Sequence, residues 1–153
     1  FFDPYFFQRA GLFGIPRVQW VSNEAVLDAY RSRSPHVVEA LDRMAVLARG
    51  MRSALHAADV TTLAALVDEH WIHQRALHPR ISTERIDALE QAARAVGAQG
   101  LKALGASGGG CVMIVSAADD VARVVEAVSP FGDVLPWRIA ARGVEVSPIS
   151  SDA

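Results

Sequence analysis

Hydrophobic positions recur at helical spacing over most of the first two-thirds of the chain. The longest stripe runs Val37, Val38, Leu41, Met44, Ala45, Ala48, Met51 and Leu55, which predicts one long amphipathic helix. Ser34 stands where a cap belongs, and Pro35 occupies the first helical position, where a missing N–H does no harm. A second helix is predicted behind an Asp59 cap, burying Val60, Leu63, Ala64, Val67 and Trp71, running to about Leu77 and stopping near Pro79. A third begins after Ser82. Ile81 and Ile86 flank that cap at hydrophobic-staple spacing, Ile86, Leu89, Ala93 and Val96 form its stripe, and Gly97 can close it in a left-handed turn. Upstream, residues 1–21 read as loop with a strand at Val18-Gln19-Trp20-Val21, followed by a short helix from Ser22 to Tyr30.

The period then changes. Leu101 to Leu104 reads as a short strand, residues 105–110 as a glycine-rich turn, and Cys111 to Val115 as a compact apolar strand. Ser116 and Asp119 have capping-box spacing ahead of a helix carrying Val121, Val124, Val125 and Val128, which Pro130 and Gly132 end. Trp137-Arg138-Ile139 and Gly143-Val144-Glu145-Val146 read as two last strands joined near Ala141-Arg142. Helices followed by a β-turn-β-α-β-β run predict an α+β fold: an antiparallel sheet covered by helices on one face, in its most specific form a ferredoxin-like split βαβ.

The 153 residues suffice for one domain, with its core over about 35–147. Half the residues are hydrophobic (51%) and a fifth charged (21%), an ordinary globular balance, and a net charge of −2 argues against nucleic acid as a partner. The lone Cys111 cannot form an internal disulfide, no apolar run reaches membrane-span length and no signal peptide is visible, so a cytoplasmic protein without a membrane partner is expected. Phe1, Phe2, Tyr5, Phe6 and Phe7 crowd aromatics into the first seven positions, with no initiator Met. That points to a piece of a longer chain or a trimmed start. The aromatic segment either packs on the domain's own core or is a strand or linker torn from a partner domain. Apolar surface left uncovered there would favour self-association.

The glycine turn changes the picture most. Four of the eleven glycines lie between Gly105 and Gly110, a costly concentration in backbone entropy. A Walker loop would need Lys and then Ser or Thr after the last glycine, whereas Cys111 and Val112 follow; a dinucleotide fingerprint would open a helix, whereas this turn opens a strand. Two roles remain open. Backbone N–H groups around Ser107 to Gly110 could form an anion nest with Lys102 as a point charge, or the glycines could simply permit a sharp hairpin.

The run Gly97-Ala-Gln-Gly-Leu-Lys-Ala-Leu-Gly-Ala-Ser-Gly-Gly-Gly-Cys111 resembles the third motif of the GHMP small-molecule kinases, in which Gly-Ala, a short gap, Lys and Gly-Ala-Gly-Gly-Gly-Gly precede an apolar strand. Asp68-Glu69-His70-Trp71, Arg75, Pro79-Arg80-Ile81-Ser82 and Arg85-Ile86-Asp87 are similar to the helix–loop–helix before it. The Pro-x-Ile-Ser form and the ending Leu135-Pro-Trp-Arg-Ile139 then Gly143-Val-Glu-Val146 are similar to the heptose-phosphate kinase branch. The likeness covers about Arg43 to Val146. It implies a ferredoxin-like C-terminal kinase domain whose glycine turn closes on the phosphoryl acceptor and the terminal phosphates. It places Gly105, Ala106, Ser107, Gly108, Gly109 and Gly110 at a phosphate or substrate loop, Lys102 at its edge, and His70 and Arg75 on the acceptor side. It also implies ATP and Mg²⁺ as cofactors of the complete kinase, a sugar as substrate and an N-terminal nucleotide-binding domain as partner.

Two departures limit the resemblance. Ser107 stands where the family has glycine, and neither the family's ATP loop nor the segment bearing its acidic catalytic residue occurs in these 153 residues. Phosphoryl transfer needs those parts together. The expectation is a chain with no catalytic residue of its own, inactive alone and binding neither ATP nor Mg²⁺ tightly.

Other residues offer less. His70 and His73 have a spacing that could put two imidazoles on one metal, but no third ligand stands at a convincing distance, and half-buried or partner-facing histidines are the expected reading. Cys111 has no base nearby in sequence and reads as a small buried strand residue. Asp119 and Asp120 serve the start of a helix, and Arg49, Arg52 and Arg94 read as solvated helix faces. The competing class is a stand-alone ferredoxin-like module that binds a ligand or a protein without catalysis.

Overall fold

Cys111–Ser116 (β3) is the most apolar short run of the chain, and the sheet assembles around it. The computed structural model describes residues 5–8, 16–105 and 110–135, with side chains for 23–105 and 110–135. Ala98–Leu104 (β2) pairs antiparallel with β3 in the register Leu101 to Ile114, Lys102 to Met113 and Ala103 to Val112. On the other side of β3 lies Tyr5–Gln8 (β1), also antiparallel, and Asp133–Leu135 (β4) pairs antiparallel with β1. The order β2-β3-β1-β4, with helices between β1 and β2 and between β3 and β4, is the ferredoxin-like arrangement expected from the pattern.

Helix α1 spans Pro16–Arg31. The strand expected at Val18 to Val21 is therefore helical, and the helix starts six residues before Ser22. Its β-branched and aromatic residues suggested a strand. However, Val18, Val21, Ala25, Val26 and Ala29 continue one another at helical spacing, and Pro16 suits a first turn. The aromatic segment at the start supplies β1, between β3 and β4 of the domain's own sheet, rather than a linker.

Helix α2, Pro35–His56, begins where expected, yet the Ser34 side chain does not cap it; its hydroxyl pairs with His36 Nδ1 at 2.9 Å. The buried residues are Val37, Ala40, Leu47 and Ala54, while Ala45, Ala48 and Leu55 face outward. The seam thus follows a heptad-like step that suits a helix packed along a near-antiparallel neighbour, and the broader stripe overshot it. That neighbour is α3, Val60–Ala76, capped by Asp59, whose carboxylate accepts from the Thr62 N–H at 2.9 Å. Helix α4, Glu84–Ala95, is capped by Thr83 instead of Ser82, with the Ile86 N–H donating to Thr83 Oγ1 at 3.2 Å. Ile81 and Ile86 are both buried. Gly97 ends α4 with φ of 106°.

The expected capping box at Ser116 and Asp119 does not form. Ser116 is the last residue of β3, a 3₁₀ turn over Ala118–Asp120 intervenes, and α5 is Val121–Val128 with Val124 and Val128 buried. The strands expected at 137–139 and 143–146 lie outside the described residues. Leu101, Ala103, Val112 and Ile114 point to one face of the sheet and join Leu89, Ala93, Val124 and Val128 of α4 and α5 in the main core. Val115, on the alternate face, joins Ala54, Leu63, Ala64 and Val67 in a second cluster.

Helix α3 does more than cover a face: it closes the outer edge of β2. Asp68 Oδ1 accepts the Leu101 N–H at 2.7 Å, and Gln74 Nε2 donates to the Ala103 and Gly105 carbonyls at 3.4 and 3.5 Å. Two side chains six positions apart thus satisfy backbone groups that an edge strand would otherwise present bare. The approach is close because Gly100 has no side chain: a Cβ there would stand 2.4 Å from the Ala64 carbonyl oxygen.

Candidate functional site

The contact between α3 and β2 brings His70 and Lys102 together. Lys102 Nζ lies 3.2 Å from His70 Nδ1, and both side chains are partly buried. An ammonium can only donate, so His70 accepts at Nδ1 and keeps its own proton on Nε2. Burial pushes the Lys102 ammonium below its usual value. Among the described residues no carboxylate lies within ion-pair reach of it. By contrast, the partly buried Arg75 meets Glu90 at 3.3 Å, and the more exposed Arg94 meets Asp68 at 2.9 Å and Glu90 at 2.9 Å.

The pair faces a cavity of ≈ 500 Å³. Its polar lining includes Asn23, His70, Gln74 and Lys102, and its apolar lining includes Val26, Leu27, Met44, Leu77 and Ile81. Gly105 stands at its rim with φ of 82°, and Gly110, at the other end of the glycine turn, has φ of 90°. Both are left-handed conformations that favour glycine. Ala106, Ser107, Gly108 and Gly109 lie outside the described residues. A wider hollow of ≈ 880 Å³ opens between α2 and α3, but its charges at Arg43 and Glu69 are already paired at 2.5 Å.

Thus Lys102, His70 and Gly105 share one cavity. Arg75 does not join them: it lies over the Trp71 ring at 5.4 Å from its centroid and pairs with Glu90 and Asp87. Arg94, expected as a solvated face, ties α4 to α3 through Asp68. His73 lies 3.8 Å from Glu69. Gln74 was missed, although a polar residue continuing the Val67–Trp71 stripe of a helix was its signal. Among the described residues no three His, Cys, Asp or Glu side chains converge to hold a metal ion. The Lys102 ammonium can meet the negative charge of a phosphate or carboxylate.

His70 carries a pH signature. Burial first, and then the Lys102 charge, lower it to about 4. The unfolded chain therefore takes up this proton near 6.5 and the folded one only near 4, so the contribution is complete above pH 6.5 and lost as pH falls toward 4. Because the ring is only half-buried, we expect about 1 kcal/mol of stability to disappear between pH 7 and 5, well below full linkage. Urea midpoints of the wild type and His70→Asn at the two pH values check this. The variant should show the smaller drop; equal drops would remove His70 as the cause.

This fold, with a cation-bearing cavity at the root of a glycine turn, is that of a C-terminal kinase domain. Residues 51–133 match the family GHMP kinases C terminal, which is more than half of the chain, and the chain belongs to that family. Solved structures agree on the fold. A Lin0012 protein from Listeria innocua superposes with a TM-score of 0.76 at 17% identity, over 90% of this chain and 39% of that one. The L. major mevalonate kinase in complex with R-mevalonate gives 0.71 at 18%, over 88% and 42%. The Lactococcus lactis galactokinase complexed with galactose gives 0.60 at 16%, over 85% and 41%. The chain spans about two-fifths of the length of these structures. No curated protein matches the sequence. No helix among the described residues is long and apolar enough to cross a membrane.

Proposed function

We propose that this chain is the acceptor-side half of an ATP-dependent kinase of a small molecule, and that it is inactive without a nucleotide-binding half. One observation carries the reading: the Lys102 ammonium faces a cavity beside Gly105 with a neutral imidazole as its neighbour and no carboxylate within reach among the described residues. A half-buried cation kept without a counter-charge is costly, and an anionic ligand offsets that cost. The acceptor would place its anionic group at Lys102, with the glycine turn completing the phosphate contacts. The likeness to the heptose-phosphate branch favours a sugar phosphate.

A second acceptor class has a specific observation behind it. Val26, Leu27, Met44, Leu77 and Ile81 make the cavity wall largely aliphatic, which suits an acceptor with a hydrocarbon body better than a polyhydroxylated ring. The relatives include both kinds, one bound to R-mevalonate and one to galactose.

Two measurements test the proposal. The purified chain, given ATP, Mg²⁺ and a panel of sugars, heptose phosphates and short branched hydroxy acids, is expected to show no turnover; clear phosphorylation would refute the half-site reading. Inorganic phosphate is expected to perturb the Gly105 and Gly110 amide signals. Lys102→Met should weaken that binding roughly tenfold, the scale of one charge-assisted contact, while leaving stability unchanged or higher. Unchanged affinity in the variant would overturn the role of Lys102.

A further inference from the structure

Lys102 is the only lysine in the chain, against fourteen arginines. Among the described residues, arginines make the cation–carboxylate pairs: Arg75 is partly buried against Glu90, Arg94 is more exposed against Asp68, and Arg43 bridges α2 and α3. The one amine stands where arginine's distinguishing property, a charge that cannot be given up, would be a handicap: half-buried, facing a cavity, 3.2 Å from an imidazole nitrogen that accepts its proton. Arginine would serve as well for holding an anion and better for a bidentate one. Lysine alone can lose its proton and become a nucleophile.

We propose that Lys102 is an amine-reactive site that captures small aldehydes, including the open-chain form of a reducing sugar, as a reversible imine, with His70 as its proton acceptor and donor. The ammonium gives one proton to His70 Nδ1, and the freed lone pair forms a bond to the carbonyl carbon as the C=O π pair moves to oxygen. The second nitrogen proton passes to that oxygen, giving the carbinolamine. His70 returns its proton to the hydroxyl, the C–O bond breaks, and water leaves behind a protonated imine. Ammonium plus aldehyde becomes iminium plus water, with His70 restored and no oxidant or reductant consumed. Burial favours the neutral amine, while His70, lowered to about 4 by burial and the Lys102 charge, is a neutral but weak base that holds the proton only transiently before returning it. The aliphatic wall of Val26, Leu27 and Met44 leaves room for a short carbon chain beside the nitrogen. Capture would leave the cavity's single positive charge on the iminium nitrogen and fill the place we assign to the acceptor.

The proposal stands on the Lys102–His70 pair and not on phosphoryl transfer, so it can fail or succeed separately from the kinase reading. Having a single lysine makes its test direct, because the chain offers two amines, Lys102 and the N-terminus. At neutral pH an ordinary lysine has roughly a few hundredfold less free amine than an α-amino group. The full chain is exposed at pH 7 to pyridoxal 5′-phosphate, and separately to glyceraldehyde, trapped with borohydride and mapped by peptide mass spectrometry. Lys102 is expected to carry the larger share of label with both probes. His70→Asn is expected to slow its labelling several-fold without changing that of the N-terminus. Lys102→Arg should lose the imine absorbance of the pyridoxal adduct while keeping the wild-type circular dichroism. Label confined to the N-terminus, or Lys102 labelling no faster than N-acetyl-lysine, would overturn the proposal. So would a His70→Asn variant that labels like the wild type and is shown by circular dichroism to be folded.

Discussion

Gly100→Ala is expected to cost about 3–5 kcal/mol, enough to leave little folded protein at 37 °C. The added methyl would stand 2.4 Å from the Ala64 carbonyl oxygen, 2.8 Å from its Cα and 2.9 Å from its carbonyl carbon, all backbone atoms of α3 that no rotamer change can move. Relief requires α3 to back away from β2. That motion also lengthens the Asp68–Leu101 and Gln74–Ala103 hydrogen bonds and parts His70 from Lys102. A control separates packing from the mere addition of a methyl. Gly50→Ala would meet the Leu66 side chain at 3.2 Å, in the middle of helix α2, where alanine is the better helix former by about 0.8–1 kcal/mol. Leu66 can shift, so that variant should be neutral or stabilised. Urea unfolding of the two variants decides the matter, and a Gly100→Ala protein as stable as the wild type would mean that α3 and β2 are not in such close contact.

Trp71→Ala is expected to cost about 4 kcal/mol and to lower the melting temperature by roughly 10 °C. Trp71 is 1% exposed in the main core, its Nε1 donates to Glu90 at 3.2 Å, and Arg75 lies over its ring. Truncation opens a cavity and leaves Glu90 facing it, with Arg75 and Arg94 as remaining partners. Trp71→Phe keeps most of the volume and loses the hydrogen bond, so its cost should be about 1–2 kcal/mol. Calorimetry of the pair tests the division between packing and polar contact. Equal losses would assign the effect to the Glu90 bond rather than to the core.

Much of this architecture was legible in the sequence wherever one periodicity ran undisturbed. Helices α3 and α4 and strands β2 and β3 fall close to their expected bounds because each has a clean apolar stripe and a local start or stop such as Asp59 or Gly97. β1 was hard to place because consecutive aromatics such as Tyr5, Phe6 and Phe7 have no period, and its partners lie more than a hundred residues away. Val18 to Val21 misled because three apolar, β-favouring residues in four positions fit a strand or a helix equally, and only Ala25, Val26 and Ala29 beyond them settle which. At the site, the resemblance singled out Lys102, Gly105 and His70. It could not separate His70 from Arg75, because both lie on α3 and only the packing of α4 draws Arg75 away to Glu90. The roles of Asp68 and Gln74 depend on backbone groups of another element, which no local pattern reveals.

The place of β1 in the sheet also governs how the molecule is made. Tyr5–Gln8 must insert between strands that begin at Cys111 and Asp133, so this segment is held in waiting until both of those strands, more than a hundred residues further on, have been made. In that interval β3 can pair with β2 in a local hairpin, but its other side and all of β4 stay open. Contacts of such long range close slowly, and uncovered strand edges recruit other chains. Yield on refolding should therefore fall steeply with protein concentration, a burden carried by the sheet's connectivity and independent of how stable the finished domain is.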